Sequence, residues 1–164
     1  MEAALFSSHL GLILAISGAA LAVILGGIGS IIALGRAGEA GAGVTAERSE
    51  AFGKVLLLQA LAGTQGVYGF LAAIMVLNNV GLLSGSVKAI SIGTGVELFA
   101  ACLPVAVAGL ISAVFQGRVS VAGMGIAAKN PADAGKGVIM SAMVETYAVL
   151  GLLITILLLN GIKV

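Results

Sequence analysis

Four stretches of the chain carry almost no charge. Residues 10–35, 55–87 and 98–117 hold no acidic or basic side chain, and residues 137–162 hold only Glu145. Each is long enough to cross a hydrocarbon core of roughly 30 Å as a helix at about 1.5 Å per residue. The pattern predicts an all-α membrane protein of four transmembrane helices. With 164 residues, four spans leave no room for a soluble domain. The first span lacks a basic leader and is too long for a signal-peptide core, so it is expected to stay in the protein.

The spans repeat in pairs. Gly53-Lys54 matches Gly135-Lys136, and at the same offset of 82 Ala60 meets Ala142, Thr64 meets Thr146, Gly69 meets Gly151 and Asn78 meets Asn160. The odd spans match at an offset of 88, with Gly29 on Gly117, Gly35 on Gly123 and His9 on Glu97. That difference predicts six extra residues in the first connecting loop, at residues 40–50. The unit is a helical hairpin present twice in parallel, divided here into 1–87 and 88–164.

Small residues line the odd spans. Gly11, Ala15, Gly18, Ala22, Gly26, Gly29 and Ala33 keep one face of span 1 small; Cys102, Ala106, Gly109, Ala113, Gly117 and Ser120 do so in span 3. Such stripes let backbones approach closely in lipid. They serve packing inside one chain or, on the reading favoured from sequence, the inner wall of a ring of identical subunits. Pro104 predicts a mild bend in span 3.

Composition narrows the function classes. Sixty per cent of residues are hydrophobic, 9% are charged and mean hydropathy is +1.19. A net charge of +1 argues against a nucleic-acid partner, and the single Cys102 excludes an internal disulfide. Arg36, Arg48, Lys54, Arg118, Lys129 and Lys136 flank the 1–2 and 3–4 connections, against Lys88 and Lys163 on the other side. The positive-inside rule then predicts those connections in the cytoplasm and both termini outside. Gly93-Thr94-Gly95 follows no strand and is no nucleotide fingerprint; no phosphate loop is present.

Glu145 is the residue of most chemical interest. It lies about 13 Å along its helix from Lys136, near mid-membrane. An unpaired carboxylate there costs several kcal/mol, roughly, so it must be protonated or hold a cation. Its offset mate is Gly63, so one acid serves four helices. Thr64, Gln65 and Tyr68 on span 2 and Gln116 on span 3 reach the same depth. A carboxylate, two amides and a hydroxyl are hard oxygen ligands that suit a monovalent cation; a proton needs fewer acceptors. The alternative is interhelical hydrogen bonding, the role expected of Gln59 and Tyr147. Glu97 and His9, at the span ends, read as interface residues.

At these residues the chain resembles the proteolipid, or K (c), subunit of V-type rotary ATPases. The resemblance rests on the duplicated hairpin, the glycine-rich odd spans and a single span-4 acid in Met143-Val144-Glu145-Thr146-Tyr147. Within that family it is similar to the sodium-translocating bacterial branch, through Leu61-Ala62-Gly63-Thr64-Gln65-Gly66-Val67-Tyr68, Gln116 and Glu145. The resemblance implies Na+ held by the Leu61 carbonyl, Thr64, Gln65, Gln116 and Glu145, with Tyr68 bonded to Glu145. It also implies a ring of identical subunits in the bacterial plasma membrane. This ring turns against a membrane stator subunit bearing an arginine, and soluble central-stalk subunits contact its cytoplasmic loops. The chain itself would be non-catalytic, with ATP hydrolysed in a separate soluble sector. A proton-carrying ring, a small cation or drug antiporter and a pore-forming proteolipid are the alternatives.

Overall fold

A computed structural model describes residues 2–164, with side chains from Phe6 onward. Helix α1 spans Glu2–Glu47, and a short 3-10 turn at Ser49–Ala51 leads into α2, Phe52–Leu61, and α3, Thr64–Asn79. A loop then enters α4, Ile92–Lys129; a second 3-10 turn at Pro131–Asp133 leads into α5, Ala134–Gly161. Together these elements supply four helical stretches long and apolar enough to cross a membrane, with α2 and α3 forming one broken span. Hairpin one is α1 with α2–α3, and hairpin two is α4 with α5.

The repeat is more regular than the sequence matching suggested. Helix ends at Glu47 and Lys129, 3-10 turns starting at Ser49 and Pro131, helix starts at Phe52 and Ala134, and helix ends at Asn79 and Gly161 all lie 82 positions apart. The offset of 88 in the odd spans is therefore incorrect, and no six-residue insertion exists. Residues 40–47, expected in a loop, continue α1 as helix. The correct mate of Glu97 is Ala15, and that of His9 is Ser91. The cause is glycine abundance: Gly29 with Gly117 and Gly35 with Gly123 coincide by chance at 88, whereas Gly11, Gly27, Gly35, Gly41 and Gly43 meet Gly93, Gly109, Gly117, Gly123 and Gly125 at 82.

The stripes meet each other inside the chain. Every stripe residue named on α1 and α4 is buried. A Cβ on Gly29 would stand 2.8 Å from the Leu110 carbonyl oxygen, and one on Gly117 would stand 2.7 Å from Ala33 Cα. The two long helices are thus in backbone contact along the centre of the molecule. The stripes thus pack within one chain, the first of the two readings given for them.

The hairpins close differently. In hairpin two, Gly123 and Gly137 bring α4 and α5 together, and Ser120 and Ser141 share a buried 2.8 Å hydrogen bond. Their mates in hairpin one are Gly41, Val55, Gly38 and Gln59. Val55 and Gln59 wedge α1 from α2 and leave a cavity of about 390 Å³ lined by Gly41, Ala42, Thr45 and Gln59, among others. Gln59 Nε2 donates to the Leu34 carbonyl at 3.4 Å, the bonding role expected of it. Pro104 lies within α4, where the Val105 N–H donates to Thr155 Oγ1 of α5 at 3.3 Å. A neighbouring hydroxyl thus supports the backbone beside the missing donor.

Candidate functional site

The second span breaks opposite Glu145. The Ala62 and Gly63 N–H groups donate to the carbonyls of Gln59 and Ala60 at 3.1 and 3.0 Å, a tightening to three-residue spacing. Ser30 of α1 fixes the junction from behind. Its hydroxyl donates to the Gly63 carbonyl at 3.2 Å and accepts from the Gly66 N–H at 2.9 Å. The Leu61 carbonyl faces the Thr64 hydroxyl at 3.1 Å. The break therefore presents a main-chain oxygen and a side-chain oxygen together.

Side chains of α3 and α4 converge on the carboxylate of α5. Thr64 Oγ1 lies 2.6 Å from Glu145 Oε1, and the Tyr68 hydroxyl donates to the same oxygen at 2.5 Å. Gln116 Nε2 of α4 donates to Oε2 at 3.3 Å. Gln65 Nε2 donates to Gln116 Oε1, and lies 3.4 Å from Ser112 Oγ, which itself donates to the Val144 carbonyl at 3.0 Å. The single proton of Thr64 serves either Leu61 or Glu145, and its lone pairs remain available.

Two observations bear on what this cluster accommodates. Gln65 and Gln116 are fully buried, and Gln65 Oε1 has no hydrogen-bond partner. An unsatisfied buried acceptor costs about 1–3 kcal/mol, which a cation among these oxygens would offset. Among the described residues no group of three or more His, Cys, Asp or Glu could hold a metal. One carboxylate amid neutral oxygens balances a single positive charge, which suits a monovalent ion rather than a divalent one.

The structure brings Leu61, Thr64, Gln65, Tyr68, Gln116 and Glu145 into one connected cluster. Tyr147 lies outside it, 71% exposed on α5. Glu97 and His9 are exposed toward the helix ends. Ser30 and Ser112 were not anticipated. They are mates at the offset of 82, and the mistaken register in the odd spans concealed that signal.

Similarity to known proteins follows the two-hairpin repeat. The family model for the C subunit of ATP synthase matches the chain twice, at residues 17–76 and 99–158, again 82 apart. The chain is 44% identical over 154 residues to the V-type sodium ATPase subunit K of Enterococcus hirae, covering 94% of this chain and 95% of that protein. It is also 44% identical over 151 residues to the A-type ATP synthase subunit K of Methanocaldococcus jannaschii, covering 92% of this chain and 64% of that protein. With two matches to one hairpin family, each on a structurally equivalent half, the chain belongs to the ATP synthase C family.

Proposed function

We propose that this chain is a rotor-ring subunit of a rotary V-type ATPase that carries Na+ on Glu145. Membership of the family and likeness to a sodium ATPase subunit support the class. The observation that carries the ion is the buried, unpartnered Gln65 Oε1 beside the Glu145 cluster. The Leu61 carbonyl, Thr64, Gln65, Gln116 and Glu145 supply the oxygens. Tyr68 holds the carboxylate from the side.

The chemistry is charge balance. A bound Na+ neutralises Glu145, so the loaded site can face hydrocarbon at low cost. Without the ion, the carboxylate needs another partner, which an arginine on a stator subunit would provide. Rotation of the ring past that arginine exchanges ions with two half-channels. ATP hydrolysis takes place in a separate soluble sector, whose central stalk contacts the 1–2 and 3–4 connections.

Carbodiimide labelling of Glu145 tests the ion. The reagent attacks the protonated acid, so Na+ should protect. Deprotonation frees the ligand, so protection should strengthen as pH rises. Labelling insensitive to Na+ at every pH would replace this reading with a proton-carrying ring. Orientation is tested separately. Glu50 and Ala132 are exposed mates at the centre of the two 3-10 turns. Cysteines at both should react with an impermeant maleimide from the cytoplasmic side only; reaction from outside reverses the topology.

A further inference from the structure

We infer that Ser112 is a positioning residue for ion binding: its hydroxyl decides which end of the Gln65 amide is left for the ion. The inference rests on the sodium reading above for the ion itself. The orientation of the amide comes from the protons of the network.

The Val144 carbonyl can only accept, so the 3.0 Å bond from Ser112 Oγ uses the one proton of that hydroxyl. Ser112 is then an acceptor toward everything else. The Gln65 amide stands 3.4 Å away and must meet it with its NH2 end. The contact is long, so its weight lies in what it excludes: an amide oxygen there would face a second acceptor. A further constraint has the same sign. The Glu145 carboxylate takes the NH2 of Gln116 at 3.3 Å, which turns the Gln116 oxygen onto Gln65. That oxygen also demands the NH2 of Gln65. Both neighbours claim the same end of a planar amide and leave its oxygen over. Gln65 Oε1 is accordingly without a partner although the residue is fully buried. The orientation is fixed by which groups own protons.

The repeat shows why this serine is free for the task. Its mate Ser30 also donates to a carbonyl of the span beside it, that of Gly63. The acceptor side of Ser30, though, is taken by the Gly66 N–H at 2.9 Å. That N–H is among the first of α3 and has no helical partner, because the span is broken there. The mate of Gly66 is Ala148, inside the unbroken α5, where the N–H bonds along the helix. The break in hairpin one thus occupies its serine with backbone. The continuous helix of hairpin two leaves Ser112 to a side chain from the other hairpin.

The two constraints on Gln65 depend on different things. The one through Gln116 depends on the charge of Glu145. A protonated Glu145 can donate to the Gln116 oxygen; Gln116 then turns its NH2 to Gln65 and draws the Gln65 oxygen inward. Ser112 has no such dependence, since the Val144 carbonyl holds its proton in either state. Among the described residues no charged side chain pairs with Glu145, and the one titratable group bonded to it is the Tyr68 hydroxyl, a phenol that ordinarily titrates at about pH 10. Ser112 therefore keeps the Gln65 oxygen available for Na+ while a proton occupies the acid. Without it, Na+ entering a protonated site must turn two amides as well as displace the proton.

Equilibrium binding of radioactive Na+ to the assembly purified from membranes tests this across pH. Relative to the unaltered chain, Ser112→Ala should weaken binding about tenfold at about pH 6, falling to about twofold at about pH 8.5, where ionised Glu145 holds both amides. Ser112→Val and Ser112→Thr, side chains of one shape, should differ in the same way, the threonine chain binding more tightly. A loss that is equal at every pH would mean that the serine only packs α4 against α5, and would overturn the inference. No loss, or equal binding by the valine and threonine chains, would overturn it too. In each of those cases the sodium reading stands, because the unaltered chain binds. No saturable Na+ binding by the unaltered chain at any pH sinks both.

Discussion

Hairpin one and hairpin two have the same turns and the same helix ends, yet they are chemically unequal. Hairpin two supplies the acid and the amide beside it, Glu145 and Gln116; hairpin one has Gly63 and Leu34 there. Hairpin one instead supplies the broken span and its hydroxyls, Thr64 and Tyr68, which reach across to Glu145. The site belongs to neither hairpin alone. Each half supplies a different share of one hydrogen-bonded cluster. Packing diverges in step: glycines and serines draw α4 onto α5, while Val55 and Gln59 hold α1 off α2.

The largest test of this inequality is to remove or move the acid. Glu145→Gln should reduce ion transport in reconstituted vesicles to background, because a neutral amide cannot balance a cation. Glu145→Gly combined with Gly63→Glu should fail equally. The moved carboxylate would sit against Leu34, whose Cδ atoms lie 3.1 and 3.2 Å from a Gly63 Cβ, and would lack Gln116. Transport by the double variant would show that the halves are interchangeable after all.

Packing is the next test. Gly137→Val copies Val55 into hairpin two. A Cβ at Gly137 stands 2.7 Å from Gly123 Cα, so the helices must part. Overpacking of this kind costs about 1–3 kcal/mol, measurable as a lower unfolding midpoint in detergent. No change would mean that the tight seam of hairpin two contributes nothing to stability.

The contributions of hairpin one to the site come last. Thr64→Val removes one oxygen from the cluster and should weaken Na+ affinity by about tenfold, or about 1.4 kcal/mol, read from protection against carbodiimide. Tyr68→Phe leaves the oxygens around the ion intact and removes one bond to Glu145. Its effect should be smaller, about 1 kcal/mol or less. If Tyr68→Phe is the more damaging, hairpin one acts on the acid rather than on the ion.

Much of this was legible in the sequence. Charge-free runs marked the spans, because hydrocarbon excludes unpaired charge. The spacing of Thr64, Gln65 and Tyr68 placed them together at the depth of Glu145, because helical rise is nearly constant. The register of the odd spans was misread. Two glycine coincidences at 88 were given too much weight in a glycine-rich segment: five glycine pairs, Ser30 with Ser112, and Arg36 with Arg118 all coincide at 82. The break at Ala62 and Gly63 was also hidden. No proline marks it; its hydrogen bonds come from Ser30, far away in sequence. The use of the stripes within one chain depended on which helices are neighbours, which composition along a single helix does not encode.

Gly63 sets the gearing of a machine built from this chain. Were an acid present at both mates, a full turn of the ring would carry two ions for each chain; with Glu145 alone it carries one. The work available per turn is then divided among half as many charges. Each unit charge driven against 100 mV costs about 2.3 kcal/mol, so the same work per turn sustains about twice the opposing potential. A glycine in place of a carboxylate trades ions moved for the steepness of the gradient that can be held.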